Sequence, residues 1–355
     1  MAKELAPFTC TYSEGLPELL YNLRCTLAIS TYQAGKVIFI SAKDKQSLIQ
    51  LPRTFKKPMG IAIHGQQMAI ATRAEVVVLS NTPTLAASFP KQPNTYDALY
   101  LPRAVYFTGE LDIHDLAFTD KGLIGVTTRF SCISKINEQF SSTPLWKPKF
   151  ISSLQPNDHC HLNGMALENG DVRYVTALGQ TDSTGGWRSN KAKGGIVMHA
   201  PEQEILLQGL PMPHSPRIYD GKLYVLLSAS GELIHVDTIG GKYEVIQKLK
   251  GFVRGMDKVG DYIFIGLSKL RTTSKAFGDL PISSESISCG VAVIQLSTGR
   301  SVGYIKYENS VEEIYDVRSL PNTRRPGVLN HYQEDHLTAI TLPNGNYWTA
   351  PDPMA

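Results

Sequence analysis

Five polar residues, each placed just before a similar strand-like run, hold side chains whose chemistry goes beyond packing. They are His114 in Asp112-Ile-His-Asp115, Asn163 in His159-Cys-His-Leu-Asn-Gly164, His214 in Pro213-His-Ser-Pro-Arg217, Arg254 and Glu313, with Met59 as an apolar sixth member. Histidine, asparagine, arginine and glutamate gathered at one place are the ingredients for moving a proton, holding a carboxylate or phosphate, or ligating a metal. His114 and His214 are candidates for general acid and base, Glu313 for orienting a histidine, and Asn163 for a hydrogen bond to developing negative charge. Arg254 and Arg217 are candidates for an anionic group on the substrate. Each residue also has a plainer reading. A lone histidine before a strand is often a satisfied turn residue, and Arg254 with Glu313 is equally an ion pair tying strands together.

A metal is the second chemistry these types allow. His159-Cys-His161 has His-x-His spacing, which on a strand sends both imidazoles to one face. A site assembled from His114, His161, His214 and Glu313 would suit zinc, iron or manganese. No HExxH, paired CxxC or acidic calcium loop accompanies it. The long polar run Gly179-Gln-Thr-Asp-Ser-Thr-Gly-Gly-Trp-Arg-Ser-Asn-Lys191 places Trp187 and Arg188 where a loop could close over a ligand. Lys269 and Arg271 would add positive charge nearby.

The elements that must position these residues form a repeat. Short β-branched or aromatic runs broken by Gly, Asn, Asp and Pro fill most of the chain, and one short helix is expected near Leu16 to Asn22. One unit recurs: Gly60-Ile-Ala-Ile-His-Gly65, Asp115-Leu-Ala-Phe-Thr-Asp-Lys-Gly122, Gly164-Met-Ala-Leu-Glu-Asn-Gly170, Ser215-Pro-Arg-Ile-Tyr-Asp-Gly221 and Gly255-Met-Asp-Lys-Val-Gly260. A sixth copy, Ile314-Tyr-Asp-Val-Arg318, lacks following strands, whereas Thr26-Leu-Ala-Ile-Ser30, Lys36-Val-Ile-Phe-Ile-Ser41 and Ser47-Leu-Ile-Gln-Leu51 lack a first one. Joining the two ends completes one sheet. The spacing of 40 to 59 residues between copies suits one four-stranded blade.

The expected fold is therefore all-β, a six-bladed β-propeller closed by N- and C-terminal strands in one blade, residues 25–52 with 311–322. Residues 1–24 and 323–355 read as extensions around a single domain over 25–322. Seven blades are the alternative, if 327–345, with the strand-like His336-Leu-Thr-Ala-Ile-Thr-Leu342, form a blade of their own. In a propeller the residue before each innermost strand lies near the channel mouth, so the polar residues above would converge there.

Composition limits the partners. Thirty-five basic against thirty-two acidic residues give a net charge of +3 without a basic stripe, which argues against nucleic acid. Five widely spaced cysteines without CxxC read as reduced thiols. No run approaches a membrane span of about 20 apolar residues and the first residues do not resemble a signal peptide, so a cytoplasmic location is expected.

The strings Thr31-Tyr-Gln-Ala-Gly-Lys36, Asp112-Ile-His-Asp115, Thr128-Arg-Phe-Ser-Cys132, His161-Leu-Asn-Gly164, Tyr174-Val-Thr-Ala-Leu-Gly179, Gly185-Gly-Trp-Arg188, Met212-Pro-His-Ser-Pro-Arg217 and Glu312-Glu-Ile-Tyr-Asp-Val317 resemble those of a bacterial family of conserved hypothetical proteins, described only as a domain of unknown function. The resemblance runs from about Leu20 to about Leu329 and implies a shared fold and site, with no activity to carry over.

The functional expectation is an enzyme acting on a small polar or anionic molecule at the propeller mouth, by histidine acid–base or metal-assisted chemistry, as a hydrolase, lyase or isomerase. The alternative is a non-catalytic scaffold or ligand-binding module for protein, peptide or sugar, the last stacking on Trp187 and nearby tyrosines.

Overall fold

Six antiparallel units stand in a closed ring, each presenting its first strand to a central axis. A computed structural model describes residues 5–270 and 277–350 of the chain; Arg271 lies outside the described residues. Blade 1 runs Ile61–His64, Gln67–Ala71, Glu75–Asn81 and Ala98–Phe107 from axis to rim. Blade 2 is Ile113–Thr119, Gly122–Thr127, Cys132–Lys135 and Thr143–Trp146, and blade 3 is Leu162–Glu168, Asp171–Ala177, Gly195–His199 and Glu204–Leu210. Blade 4 is Pro213–Tyr219, Lys222–Leu227, Glu232–Asp237 and Lys242–Lys248, and blade 5 is Phe252–Val259, Tyr262–Ser268, Cys289–Gln295 and Arg300–Tyr307. Blade 6 combines the C-terminal strand Asp316–Pro321 with Cys25–Thr31, Lys36–Ala42 and Leu48–Thr54. Each first strand touches those of its two neighbours, and blade 6 meets both blade 5 and blade 1.

The ends therefore close the ring as the repeat predicted, and there are six blades, not seven. The stretch offered as a seventh instead gives Pro326–Val328, which lies parallel to Ala98–Phe107 at the rim of blade 1, and a two-stranded hairpin, Ala339–Leu342 with Gly345–Trp348. At the other end Cys10–Tyr12 pairs with Arg300–Tyr307 at the rim of blade 5, and the helix Leu16–Leu23 packs on blade 6. The added strands Pro326–Val328 and Cys10–Tyr12 each cover part of an outer edge whose backbone groups would otherwise be open to another chain. Among the described residues no helix is long and apolar enough to cross a membrane.

The repeat is set locally by turn chemistry and completed by packing between blades. Asp220 and Gly221 both have positive φ, 51° and 73°, as a two-residue hairpin turn of the first pair of strands requires. The faces of adjacent blades interlock: Phe39 and Phe55 pack with Ile61, Met68, Ile70 and Val77 across the blade 6 to blade 1 boundary, all buried. Truncating one of these phenylalanines to alanine removes about 3–5 kcal/mol of stability. The polar side chains collect instead at the axis, where the six first strands converge.

Candidate functional site

Three tiers of side chains surround the axis. The uppermost, where the first strands begin, holds Met59, His114, Asn163, His214, Arg254 and Tyr315. The closing blade thus delivers Tyr315, two residues beyond the Glu313 that the alignment of turns put in this position. The middle tier alternates glycine with a side chain: Gly60, Asp115, Gly164, Ser215, Gly255 and Asp316. A Cβ on Gly60 would lie 2.9 Å from Asp115 Cα, on Gly164 2.3 Å from Pro216 Cδ, and on Gly255 2.5 Å from Asp316 Cα. The lowest tier is Ala62, Ala117 and Ala166 on one side and Arg217, Asp257 and Arg318 on the other.

At the upper mouth a chain of rings crosses from blade 6 to the loop of blade 3. Tyr32 stacks on Tyr315 at 5.9 Å, Tyr315 lies 5.2 Å from His114, His114 meets His161 edge-on at 4.8 Å, and His161 lies 4.4 Å from Trp187. Cations face its members: Lys57 at 5.1 Å from Tyr32, Arg254 at 3.9 Å from Tyr315 and Arg188 at 4.3 Å from Trp187. The Tyr315 hydroxyl is buried without a hydrogen-bond partner, and burial holds its pKa well above the ordinary phenol.

His161 is oriented by a residue that the reading of the sequence missed. Its Nδ1 lies 3.0 Å from Asp158 Oδ2, and Trp187 Nε1 donates to the same oxygen at 2.9 Å. Burial pushes the Asp158 carboxyl up, but the hydrogen bonds from His161 and Trp187 outweigh it and leave it below its ordinary value. The segment is a bend, not a strand: Asp158 and His161 both have positive φ, 48° and 50°. His159 consequently turns to its own carboxylate, Asp182, at 3.0 Å, and the two imidazoles do not share a face.

His114 and His214 are supported alike. His114 Nδ1 lies 3.2 Å from Asp112 O and 2.8 Å from Thr128 Oγ1, whose hydroxyl donates to Leu162 O of the next blade at 2.6 Å. His214 Nδ1 lies 3.0 Å from Met212 O and 2.8 Å from Ser228 Oγ, whose hydroxyl donates to Val253 O of the next blade at 2.6 Å. The supporting carbonyls sit on left-handed residues: Asp112 at φ 56° and Met212 at 55°, matched by Lys57 at 50° and His161 at 50°, each two residues before its ring member. Left-handed non-glycine residues are strained, and such strain collects at sites of function. Burial lowers the His114 pKa to about 4 and that of His214 well below the ordinary value, with Arg254 adding to both.

Asn163 is used between blades: its Oδ1 accepts from Thr176 Oγ1 at 2.7 Å and its Nδ2 donates to Pro213 O at 3.0 Å. Glu313 pairs with Arg254. Trp187 is buried beneath Arg188, which is 62% exposed and 3.6 Å from Asp158. Lys269 lies 4.0 Å from Glu312. Among the described residues no three His, Cys, Asp or Glu side chains come together as a metal would need, so His114, His161, His214 and Glu313 do not form a ligand set; His161 and Glu313 are each turned to a partner of their own.

Arg217 stands two tiers below His214, because a bulge between them redirects the strand. There its Nη1 donates to Asp115 Oδ2 at 2.8 Å, and Arg318 reaches Asp115 Oδ1 at 3.0 Å and Asp316 Oδ2 at 3.2 Å. Below this cluster the three alanines open a cavity of about 530 Å³ walled by Arg217, Asp257 and Arg318. The cluster separates that lower mouth from the histidines above.

Among solved structures the chain is similar to one from a nidogen/laminin complex, with a TM-score of 0.55 at 10% identity, covering 84% of this chain and 99% of that one. The Pan2 WD40 domain of Neurospora crassa aligns with a TM-score of 0.39 at 14% identity, over 69% of this chain and 64% of that one. At such identity the first shows a shared fold, and the second carries no argument. No curated protein sequence matches. A family model covers residues 14–329, and with the quoted motifs on its repeat the chain belongs to the family described as a domain of unknown function, DUF4915.

Proposed function

We propose that the upper mouth binds a small anionic molecule and moves a proton on it, with His161, oriented by Asp158, as the acid–base group and Arg254 as the anion contact. The observation that carries this reading is the His161–Asp158 pair: Nδ1 on a carboxylate leaves Nε2 on the side of the ring away from Asp158, in the arrangement by which a histidine is held ready for proton transfer. His114 and His214, held neutral by burial, are hydrogen-bond acceptors in this reading. Hydrolysis, elimination and isomerisation all need such a proton movement. The five unpaired cysteines fit a reducing compartment, as the cytoplasmic expectation requires.

A second reading, ligand binding without turnover, is favoured by those same two histidines, since neither is fit to donate a proton near neutral pH. Nuclear magnetic resonance screening of a panel of carboxylates and phosphate esters, against wild type, Asp158→Asn and Arg254→Ala, separates the readings. Turnover abolished in Asp158→Asn with binding retained supports the enzyme. Binding that never leads to turnover supports the module. Anions that bind Arg254→Ala as well as wild type, or bind neither, overturn both.

A further inference from the structure

The support of His114 and His214 settles where each carries its proton. A carbonyl oxygen only accepts, so a ring nitrogen facing Asp112 O or Met212 O must be an N–H. The hydroxyls of Thr128 and Ser228 have their hydrogens committed to carbonyls of the next blade, so toward the histidines they too accept. Both imidazoles are therefore Nδ1–H tautomers with a bare lone pair on Nε2. The two supports are copies of each other, with the hydroxyl 14 residues after the histidine in each blade. Among the described residues neither Nε2 has a partner. His114 and Arg254 both lie against the Tyr315 ring, at 5.2 and 3.9 Å, and His214 holds the same position on the first strand beside that of Arg254, so the three groups stand together at the upper mouth. Of its nitrogens Nη2 is taken by Glu313, and its Nε is buried without a partner.

A mouth that offers two lone pairs beside one guanidinium selects for more than charge. A plain anion would leave both lone pairs facing its own negative oxygens, which is unfavourable in a partly desolvated site. We infer that the ligand of the upper mouth is a small anion carrying hydrogen-bond donors beside its charged group, the anionic end on Arg254 and the donors on Nε2 of His114 and His214. This rests on the reading of the upper mouth as an anion site. The hydroxyls of a sugar acid and the ammonium of an amino acid both meet the requirement, and the arms of the test distinguish them.

The test titrates gluconate, serine and propanoate into the full chain labelled with nitrogen-15 in its histidines. Gluconate or serine should bind about tenfold or more tighter than propanoate, the gain expected of one well-made hydrogen bond to an otherwise unpartnered acceptor. The better of the two should also shift the Nε2 resonances of His114 and His214 while Nδ1 stays protonated. In His214→Phe the advantage over propanoate should shrink. Propanoate binding as tightly as both others, or a protonated Nε2 on either histidine of the free protein near neutral pH, overturns the inference and leaves the anion site standing. The tautomer measurement needs no variant, so it holds even where His214→Phe does not fold. If none of the three acids binds, or all bind Arg254→Ala equally well, the anion site itself fails and the inference with it.

Discussion

Arg217 of blade 4 meets Asp115 of blade 2 across the axis, Nη1 to Oδ2 at 2.8 Å, over 102 residues of sequence. Arg318 of the closing strand joins the same carboxylate, so blades 2, 4 and 6 are tied at one point. Burial disfavours the charged form of Arg217, but Asp115 and Asp316 outweigh it and raise the pKa above the ordinary value. Removing Arg217 leaves two buried carboxylates under-compensated. Arg217→Met should therefore cost about 3–5 kcal/mol in urea unfolding. The half-exposed pair of Arg73 with Glu110 should change stability by less than about 1 kcal/mol when broken.

Conformation calls for glycine at both Gly221 and Gly255, and space calls for it at Gly255 alone. Gly255 has φ +75° and no room for a Cβ, whereas Gly221 has φ +73° and nothing within 4 Å. Gly221→Ala should cost about 1–2 kcal/mol, the strain of the left-handed region alone. Gly255→Ala should cost clearly more, because Asp316 backbone must move. Thermal denaturation of the two variants compares them directly.

Stability should fall on mild acidification because of the buried histidines. His114 stays neutral in the folded chain down to a pKa of about 4 but titrates at 6.5 when unfolded. Between those values the unfolded state binds the extra proton. The contribution of about 3 kcal/mol is thus complete above 6.5 and lost as pH falls toward 4. His214 acts in the same direction. Denaturant titrations at several pH values should show a steep slope in this window, shallower in His114→Gln.

Trp187 holds the glycine-rich loop to the site by stacking on His161 and bonding Asp158. Trp187→Ala should therefore loosen residues 179–191 before the ring itself. Limited proteolysis should cut the variant within that loop under conditions where wild type stays intact, with the blades still folded by circular dichroism.

The ring of blades was legible because turn residues and strand runs recur along the chain, and its closure because the two ends each lacked what the other had. The uppermost tier was correctly aligned through Met59, His114, Asn163, His214 and Arg254, where a hairpin follows at a constant distance. It slipped in the closing blade, whose first strand has no hairpin of its own and begins only at Asp316, so Tyr315 went unnoticed behind Glu313. Arg217 follows His214 by three residues, and only the bulge between them reveals that they face different mouths. Asp158 reaches His161 through a left-handed bend that alternation cannot anticipate. Thr128 and Ser228 did leave a signal: a hydroxyl 14 residues after each ring histidine, visible once second strands are aligned as carefully as first ones.

The clasp of Arg217, Arg318, Asp115 and Asp316 ties three blades together across the axis, above the lower cavity. In the proposed function, a molecule that enters past the histidines would meet this clasp beneath them and leave by the way it came. Whatever departs would then obstruct the next arrival, so exchange at the proposed site would be governed at a single doorway.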